Sequence, residues 1–362
     1  MRRMIDYYNE QAASCDGDEA RLDLDPSRIS WSRNIRRLAV AGRTQHFKED
    51  GIRPSALYRP FCRQVLYFDP VFNSVPGKNS QYFPTTRHVN LAILVTSPGG
   101  NSPFTALATN TIADLVSVTG AGQATHFFPR WTYEQPERTE QELLLDASAD
   151  LDALGYRRAD NITDQILALY RSRFGPQVSK DDVFFYVYGV LHSEQYRTMF
   201  AADLKRMLPR IPLAASVADF DAFVTAGRAL SDLHVNYESV EPYPLHEQAP
   251  LAGDPWETYR VQKLRWADKT TKKAILYNGH VILGDIPAEA HRYMLGSRSA
   301  LEWLIDRYQV KTDKDSGIVN DPNDWCREHD DPRYIVDLIK RVTRVSVDTM
   351  RIVDSLPELP LT

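Results

Sequence analysis

Apolar and polar positions change their spacing several times along the chain, and each change predicts a different kind of element. In residues 1–47 the spacing favours helices on either side of a polar break at DLDPSRISW, and Ile35, Leu38 and Val40 lie on an otherwise basic helix. From about residue 51 to 133, Pro, Gly and Asn separate short runs that predict strands: ALYRPFCRQVLYF, HVNLAILVTS, FTALATN, LVSVTG and THFFPRWTY. The chain is therefore predicted to begin with helices and to continue as a β-rich module.

Helical spacing returns between residues 161 and about 238. The segment NITDQILALYRSRFG offers Asn161 or Thr163 as its N-cap and a glycine as its stop. SKDDVFFYVYGVLHS begins with Ser179 and carries Asp182 three residues later, which is close to a capping box. SEQYRTMFAADLKRMLPRIPL predicts a helix that ends at its first proline, and DFDAFVTAGRALSDLHVNYE predicts a further helix. This part is predicted to be a helical module.

Alternating positions reappear after the proline-rich segment EPYPLHEQAPLAGDP. YRVQKLRWA and KKAILYNGHVILGDIP predict strands, and the second is typical of a hairpin with NGH at its turn. Ser299 and Glu302 form a capping box before LEWLIDRY, and a long helix with an apolar stripe from Ile335 to Val353 follows DDP. The end of the chain is therefore predicted to mix both element types.

Together these patterns predict an α+β fold, and a length of 362 residues makes two or three domains the default. The predicted segments are an N-terminal helical segment, a β-rich module with an acidic linker, a helical module and a C-terminal mixed β/α module. Their predicted bounds are 1–47, 48–160, 161–240 and 241–362.

The segment YRPFCRQVLYF is predicted to form one strand. Alternation places Arg59 and Arg63 on one face together with Phe61, Val65 and Tyr67. Two arginines between aromatic side chains suit a phosphate backbone with stacked bases, and they equally suit the solvated side of an ordinary sheet. The pattern alone leaves both interpretations open.

Composition narrows the class of protein. Hydrophobic residues make up 43% and charged residues 25%, as in soluble globular proteins, and the formal net charge is −5. The three cysteines are far apart, which argues against a disulfide framework or a zinc site and favours the cytoplasm. No apolar run is long enough to cross a membrane. Residues 33–90 carry ten Lys and Arg against three acids, so a DNA-binding interpretation must depend on local patches.

Catalytic motifs are missing from the sequence. There is no Walker A loop, no GxGxxG after a strand, no GxSxG elbow and no HExxH. His192 before Ser193 suggests a helix junction with a capping serine rather than a catalytic triad, and Asp203 with Lys205 lacks the other acids of a nuclease site. The residues alone predict a binding or structural module with no catalytic residue and no metal site.

Several segments in order resemble a known family. They include LYRPFCRQVLYF, NLAILVT, FTALATNTIADL, HFFPRWTYE, YGVLHSEQYR, LKRMLPRIPL and KDSGIVNDPNDW. Together they resemble the C-terminal region of Type ISP restriction–modification enzymes over nearly the whole chain from about residue 30. The pairing of YGVLHSEQYR and LKRMLPRIPL with KDSGIVNDPNDW is the specific part of this likeness.

The resemblance implies that the chain is the target recognition (specificity) domain of such an enzyme. In that family a nuclease, a helicase-type ATPase, a helical coupler and an adenine methyltransferase precede this domain. Its expected partners are duplex DNA and those domains, in cis or in trans, and the N-terminal helices resemble the tail of the methyltransferase region. The resemblance implies no cofactor for this chain, whereas S-adenosylmethionine, ATP and Mg²⁺ are expected for the other domains.

The resemblance nominates Lys205, Arg206 and Arg210 as DNA-binding residues, and a DNA-recognition function makes further residues candidates. The helical unit from GVLHSEQYR to LPRIPL faces DNA in related enzymes, although its cations equally suit a merely solvated surface. Phosphate contacts are expected from Arg59, Arg63 and Arg87. Base contacts are expected from Lys205, Arg206, Arg210, Lys263, Arg265 and Arg298, with Asn320 and Asn323 as adenine readers.

Two other functions stay open on the sequence. One is a protein-interaction or scaffolding module whose basic segment binds an acidic partner. The other is an unrecognised hydrolase, for which no nucleophile and base stand out.

Overall fold

The computed structural model describes residues 1–120, 122–136 and 151–360. Helices alternate with several small sheets, which confirms the predicted α+β class. The predicted acidic linker falls largely on residues 137–150, which lie outside the described residues.

Long helices occupy the predicted regions, and three short ones (α3, α9 and α11 below) were not predicted. The helices are α1 (Arg2–Ser14), α2 (Arg33–Val40), α3 (Asn79–Tyr82), α4 (Asp164–Phe174), α5 (Lys180–His192), α6 (Glu194–Met199), α7 (Ala201–Leu204), α8 (Val217–Val235), α9 (Pro255–Thr258), α10 (Ala300–Arg307), α11 (Asn323–Glu328) and α12 (Tyr334–Asp354).

The strands pair antiparallel with their named partners. They are β1 (Ile52–Arg59), β2 (Cys62–Tyr67), β3 (Ala92–Thr96), β4 (Ala106–Thr109), β5 (Thr125–Pro129), β6 (Trp131–Glu134), β7 (Arg157–Asp160), β8 (His246–Gln248), β9 (Arg265–Trp266), β10 (Ile275–Leu276), β11 (Ile282–Gly284), β12 (Met294–Leu295), β13 (Arg298–Ser299), β14 (Lys311–Thr312) and β15 (Val319–Asn320). The two larger sheets have the orders β4-β3-β5 and β8-β11-β10-β9, and the other strands form pairs.

Local signals in the sequence predicted several element ends correctly. The hydroxyl of Thr163 accepts the Ile166 N–H at the start of α4, and Gly175 ends that helix. Both halves of the capping box that begins α5 are present, and so are those of the Ser299 box that begins α10. The NGH turn joins β10 to β11 as predicted.

The single strand predicted for YRPFCRQVLYF is wrong, because the chain turns back between β1 and β2. Arg59 pairs with Cys62, and Phe61 adopts a positive φ of 57° in the turn. The Phe61 side chain is 1% exposed and packs edge-on against Tyr237. This distant contact stabilises a backbone conformation that an aromatic residue rarely adopts.

Two further predictions need correction. LVSVTG forms turns instead of a strand, because the Asp114 carboxylate accepts the Val116 N–H at 2.9 Å and starts a turn. The helix predicted to run to Pro209 is broken at Phe200 and ends at Leu204. The Tyr196 hydroxyl donates to the Arg210 carbonyl oxygen at 2.9 Å and so holds the returning chain against α6.

The sheet β4-β3-β5 is covered on both faces. Leu94 and Leu107 belong to a core shared with the C-terminal part of the chain, including α10 and α12. Ile93 and Val95 belong to a second core shared with α4, α5 and α8. Hydrophobic packing therefore crosses the predicted segment bounds at residues 160 and 240.

Helices α5 and α8 pack with their backbones in direct contact in the second core. Gly189 of α5 and Gly227 of α8 face each other where the helices cross, and a Cβ atom at Gly227 would overlap the carbonyl oxygen of Phe185. A methyl group at Gly189 would likewise overlap the carbonyl oxygen of Phe223. The two backbones touch because neither glycine has a side chain.

Candidate nucleic-acid interface

Arg59 and Arg63 are both held inside the chain by carboxylates. Arg59 donates to Asp114 at 2.8 Å, and its side chain is 14% exposed. Arg63 donates to Glu238 at 3.0 Å and to the Val235 carbonyl at 2.8 Å. A phosphate would have to displace these internal partners, so the geometry favours a scaffold role that ties the β1–β2 hairpin to its neighbours.

We expect Arg63→Ala to lower the free energy of unfolding by about 1–3 kcal/mol, because it removes the guanidinium from the Val235 carbonyl and from Glu238, which keeps the Tyr334 hydroxyl. The DNA affinity of the folded variant should stay within about twofold of wild type. Urea denaturation and a DNA-binding titration measure the two quantities. Arg33→Ala is the control, since an exposed substitution should change stability by only about 0.5 kcal/mol. A large loss of affinity with unchanged stability would contradict the scaffold role.

Two predicted base readers are also engaged within the chain. The buried amide of Asn323 accepts the Val261 N–H at 2.9 Å and donates to the Val261 carbonyl at 2.8 Å and to Asp321 at 2.6 Å. Asn323 has no free edge to offer an adenine in this structure, so its role is to fix the chain at Val261. Arg298 donates to Asp306 at 2.9 Å and lies over the ring of Trp303.

Lys205, Arg206 and Arg210 are exposed on the segment that follows α7. Arg210 helps to line a cavity of about 370 Å³ together with Met207 and Leu208. Lys205 contacts the loop after β3 through its carbonyl oxygen, which accepts the Gly99 N–H at 2.8 Å. All three cations are exposed, which keeps the prediction for this segment open. Arg87 is exposed in the loop before β3.

The structure brings Lys263 and Arg265 together in one groove, called here the cationic groove. Its volume is about 540 Å³. The groove is lined by Glu257, Arg260, Gln262, Lys263, Arg265, Leu276, Asn278, Gly279 and His280. Arg260, Lys263, Arg265 and His280 are all exposed. Three permanent cations and one histidine against a single carboxylate make the groove attractive to a polyanion.

Hydrogen bonds from the β10–β11 turn build this groove. Asn278 donates to the carbonyl oxygens of Thr258 at 2.8 Å and Arg260 at 3.0 Å, and its own carbonyl oxygen accepts the His280 N–H at 2.8 Å. The Tyr277 hydroxyl donates to the Tyr259 carbonyl at 2.7 Å. The turn therefore holds the segment that carries Arg260 against the sheet edge that carries Arg265.

A charged cluster behind the groove holds the same segment. The Glu247 carboxylate accepts two hydrogen bonds from Arg333 at 2.8 and 2.9 Å, one from Lys340 at 2.5 Å and one from the Tyr259 hydroxyl at 2.9 Å. The Arg333 guanidinium, followed by Lys340 and Tyr259, lowers the pKa of Glu247 to about 2. This cluster is called the Glu247 cluster below.

A thin β-ribbon rises beside the groove. The ribbon consists of β14, a turn and β15 (residues 311–320), and it carries the predicted reader Asn320 on an exposed strand. The Val310 N–H donates to the Gln262 carbonyl at 3.0 Å, and Lys263 forms a β-bridge with Gln309. The ribbon therefore begins two residues beyond Gln309, the partner of a groove lysine.

Arg260 and His280 are groove residues that sequence reasoning missed. His280 was predicted only as part of the NGH turn, and Arg260 only as part of the strand predicted for YRVQKLRWA. The available signal was the hairpin itself, since a turn folding back over YRVQKLRW brings the residues of both segments together. The spacing of apolar and polar residues alone does not show on which side of YRVQKLRW the hairpin turn lies.

Burial explains the shifted pKa values of one histidine and two cysteines. Burial lowers the pKa of His192, whose Nδ1 donates to the Tyr188 carbonyl at 2.9 Å, and Ser193 caps α6 as predicted. Burial raises the pKa of the free thiols of Cys62 and Cys326 to about 11. Within the ranges that the structure describes, no group of three or more His, Cys, Asp or Glu is placed to hold a metal ion, and no helix is long and apolar enough to span a membrane.

Three solved structures similar to this chain contain DNA or a DNA substrate mimic. One is a nuclease-deletion mutant of the Type ISP restriction-modification enzyme LlaGI in complex with a DNA substrate mimic, at 34% identity and a TM-score of 0.81 over 100% of this chain and 31% of that chain. Another is the ATP-dependent Type ISP enzyme LlaBIII bound to DNA, at 27% identity and a TM-score of 0.83 over 100% and 22%. The DrdV–DNA complex matches at 28% identity and a TM-score of 0.81 over 99% and 34%.

This chain spans between about a fifth and a third of those solved chains. Among curated proteins, none is significantly similar to it. The family described as the Type ISP C-terminal specificity domain matches residues 1–338, which confirms the family that the sequence segments resemble. The chain therefore belongs to the Type ISP C-terminal specificity domain family.

Proposed function

We propose that this chain recognises a duplex DNA sequence for a Type ISP-like restriction–modification enzyme and holds the duplex in its cationic groove. The observation that carries the proposal is the convergence of Arg260, Lys263, Arg265 and His280 on one groove of about 540 Å³ in a chain whose formal net charge is −5. Local positive charge on a negative protein directs a polyanion to one place. Neutralised phosphates release counterions, so the affinity depends on salt.

The remaining steps of the proposed enzyme belong to other domains. We assign ATP-dependent DNA cleavage and adenine methylation to domains joined to or associated with this one, with S-adenosylmethionine, ATP and Mg²⁺ as their cofactors. A target adenine must leave the base stack to be methylated, so this domain would also hold distorted DNA. We expect such an enzyme to act in the cytoplasm, as the widely separated cysteines predict. The residues of this chain contribute binding and orientation.

The experiment is charge reversal in the groove. For the double variant Lys263→Glu and Arg265→Glu, we expect DNA affinity to fall at least about tenfold and the slope of log affinity against log salt to fall by about 2. Fluorescence titration of a labelled duplex at several salt concentrations measures both values. The matched control reverses Arg33 and Arg37, two exposed cations of α2, which changes the net charge by the same amount.

The outcomes separate the two main candidate functions. Equal losses in both double variants would mean that only net charge matters and would contradict the groove assignment. An affinity of the wild-type chain for DNA that does not change with salt would favour the protein-interaction module with an acidic partner.

A further inference from the structure

The ribbon (residues 311–320) extends into solvent with almost no packing of its own. Nine of its ten residues are exposed, and Ser316 is half-buried. Val319 keeps 55% of its surface exposed and Ile318 keeps 46%. A two-stranded hairpin is at best marginally stable alone in water, so contacts other than a core must order this one.

Hydrogen bonds at the tip and at the base supply that order. At the tip, the Asp313 carboxylate accepts the Ser316 N–H and the Ser316 hydroxyl, each at 2.8 Å, and Gly317 closes the turn with φ of 69°. At the base, Val310 donates to the Gln262 carbonyl at 3.0 Å. The ribbon is therefore organised before any partner arrives, which lowers the entropic cost of binding.

The two faces of the ribbon differ. Cross-strand partners share a face, so Lys311 lies beside Asn320, and Thr312 lies beside Val319. The Lys311 ammonium donates to the Asp306 carbonyl at 2.9 Å, which turns the Lys311 face toward the end of α10. The face of Thr312 and Val319 points away from α10 and carries exposed methyl groups.

The position of the ribbon favours DNA over protein as its partner. Its own lysines, Lys311 and Lys314, are matched by Asp313 and Asp315, so the ribbon itself is electrically neutral. The attraction comes from the adjoining cationic groove, whose Lys263 bridges Gln309 two residues before the ribbon. A duplex whose phosphates lie in the groove is brought next to the ribbon.

We propose that the ribbon enters the major groove of the bound duplex and that Thr312 and Val319 read a thymine through its C5-methyl group. The proposal rests on the proposed function and names the base-reading element within it. The major groove, about 12 Å wide, admits a two-stranded β-ribbon, and the thymine methyl is the one apolar group that it displays. The groove cations supply affinity, and the ribbon supplies one base contact.

The test removes the thymine C5-methyl group and the methyl groups of Val319 separately. Duplexes that the 362-residue chain enriches from a randomised library are resynthesised with uracil in place of each thymine in turn. At one position we expect uracil to weaken wild-type binding about fourfold, the effect of burying one methyl group. Val319→Ala should weaken binding to the thymine duplex by a similar factor and show no further loss with uracil.

Asn320→Ala is the matched control because it changes the opposite face of the same ribbon. We expect it to keep the full response to uracil. A uracil response in Val319→Ala equal to that of wild type overturns the ribbon proposal and leaves the groove assignment standing. Loss of the response in Asn320→Ala but not in Val319→Ala overturns the assignment of the reading face. A wild-type chain that enriches no sequence contradicts the proposed function itself.

Discussion

Gly227→Ala is expected to lower the free energy of unfolding by about 3 kcal/mol. The new methyl group would overlap the Phe185 carbonyl oxygen, which is backbone and cannot rotate away, so α8 must move from α5. That movement opens the aromatic packing of Phe223 against Tyr186. Alanine gains about 1 kcal/mol of helix propensity over glycine, which offsets only part of the loss.

Urea denaturation followed by circular dichroism measures this loss. Gly189→Ala, on the other side of the same crossing, should show a loss of similar size. Thr225→Ala is the control, since this residue is exposed on α8 and its change should shift stability by about 0.5 kcal/mol or less. Equal stability of Gly227→Ala and Thr225→Ala would contradict the backbone contact at the crossing.

Glu247→Ala is expected to destabilise the chain by about 3 kcal/mol at neutral pH, because it removes the carboxylate that pairs with Lys340 and leaves Arg333 with Asp337 alone. It also frees the Tyr259 hydroxyl, and with it the segment that carries Arg260, so DNA affinity should fall as well. Thermal or urea unfolding measures the first effect and duplex titration the second. Glu241→Ala, an exposed change nearby, is the control.

The stabilisation by Glu247 depends on pH in a defined direction. Its pKa in the folded chain is about 2, below the ordinary value of 4.5. A carboxylate with a lowered pKa stabilises the fold fully above its unfolded pKa and loses that contribution as the pH falls through the folded value. The stability difference between wild type and Glu247→Ala should therefore be largest above pH 4.5 and should shrink between pH 4.5 and 2. A difference that stays constant across this range would contradict the role of the Glu247 cluster.

Sequence reasoning succeeded where a structure depends on neighbours in the chain. The caps at Thr163, Ser179 and Ser299 and the stop at Gly175 were predictable because side chain and backbone partner lie within four residues. The buried stripe of α12 follows from the helical period, and Ile335, Leu338, Ile339, Val342 and Val345 are all 1% exposed or less.

It failed where a distant contact decides the outcome. The turn at Phe61 depends on packing against Tyr237, which is 176 positions away in the sequence. The pairing of Arg63 with Glu238 neutralises a charge that the local pattern counted as available to DNA. Lys263 and Arg265 were nominated, but their groove needs the fold-back of His280 and the contacts of Asn278 with Arg260. The sequence pattern and the charges identify candidate side chains. The tertiary structure determines which of them lie together in one site.

The sheet β4-β3-β5, with one core on each face, constrains how such domains can be recombined. A chimera with its junction near residue 160 would combine strands from one parent with helices from another, and the Ile93–Val95 face would meet helices selected for a different surface. A junction near residue 240 would mismatch the Leu94–Leu107 face in the same way. Exchange of a solvent-facing hairpin such as the ribbon therefore disturbs less packing than exchange of a whole module.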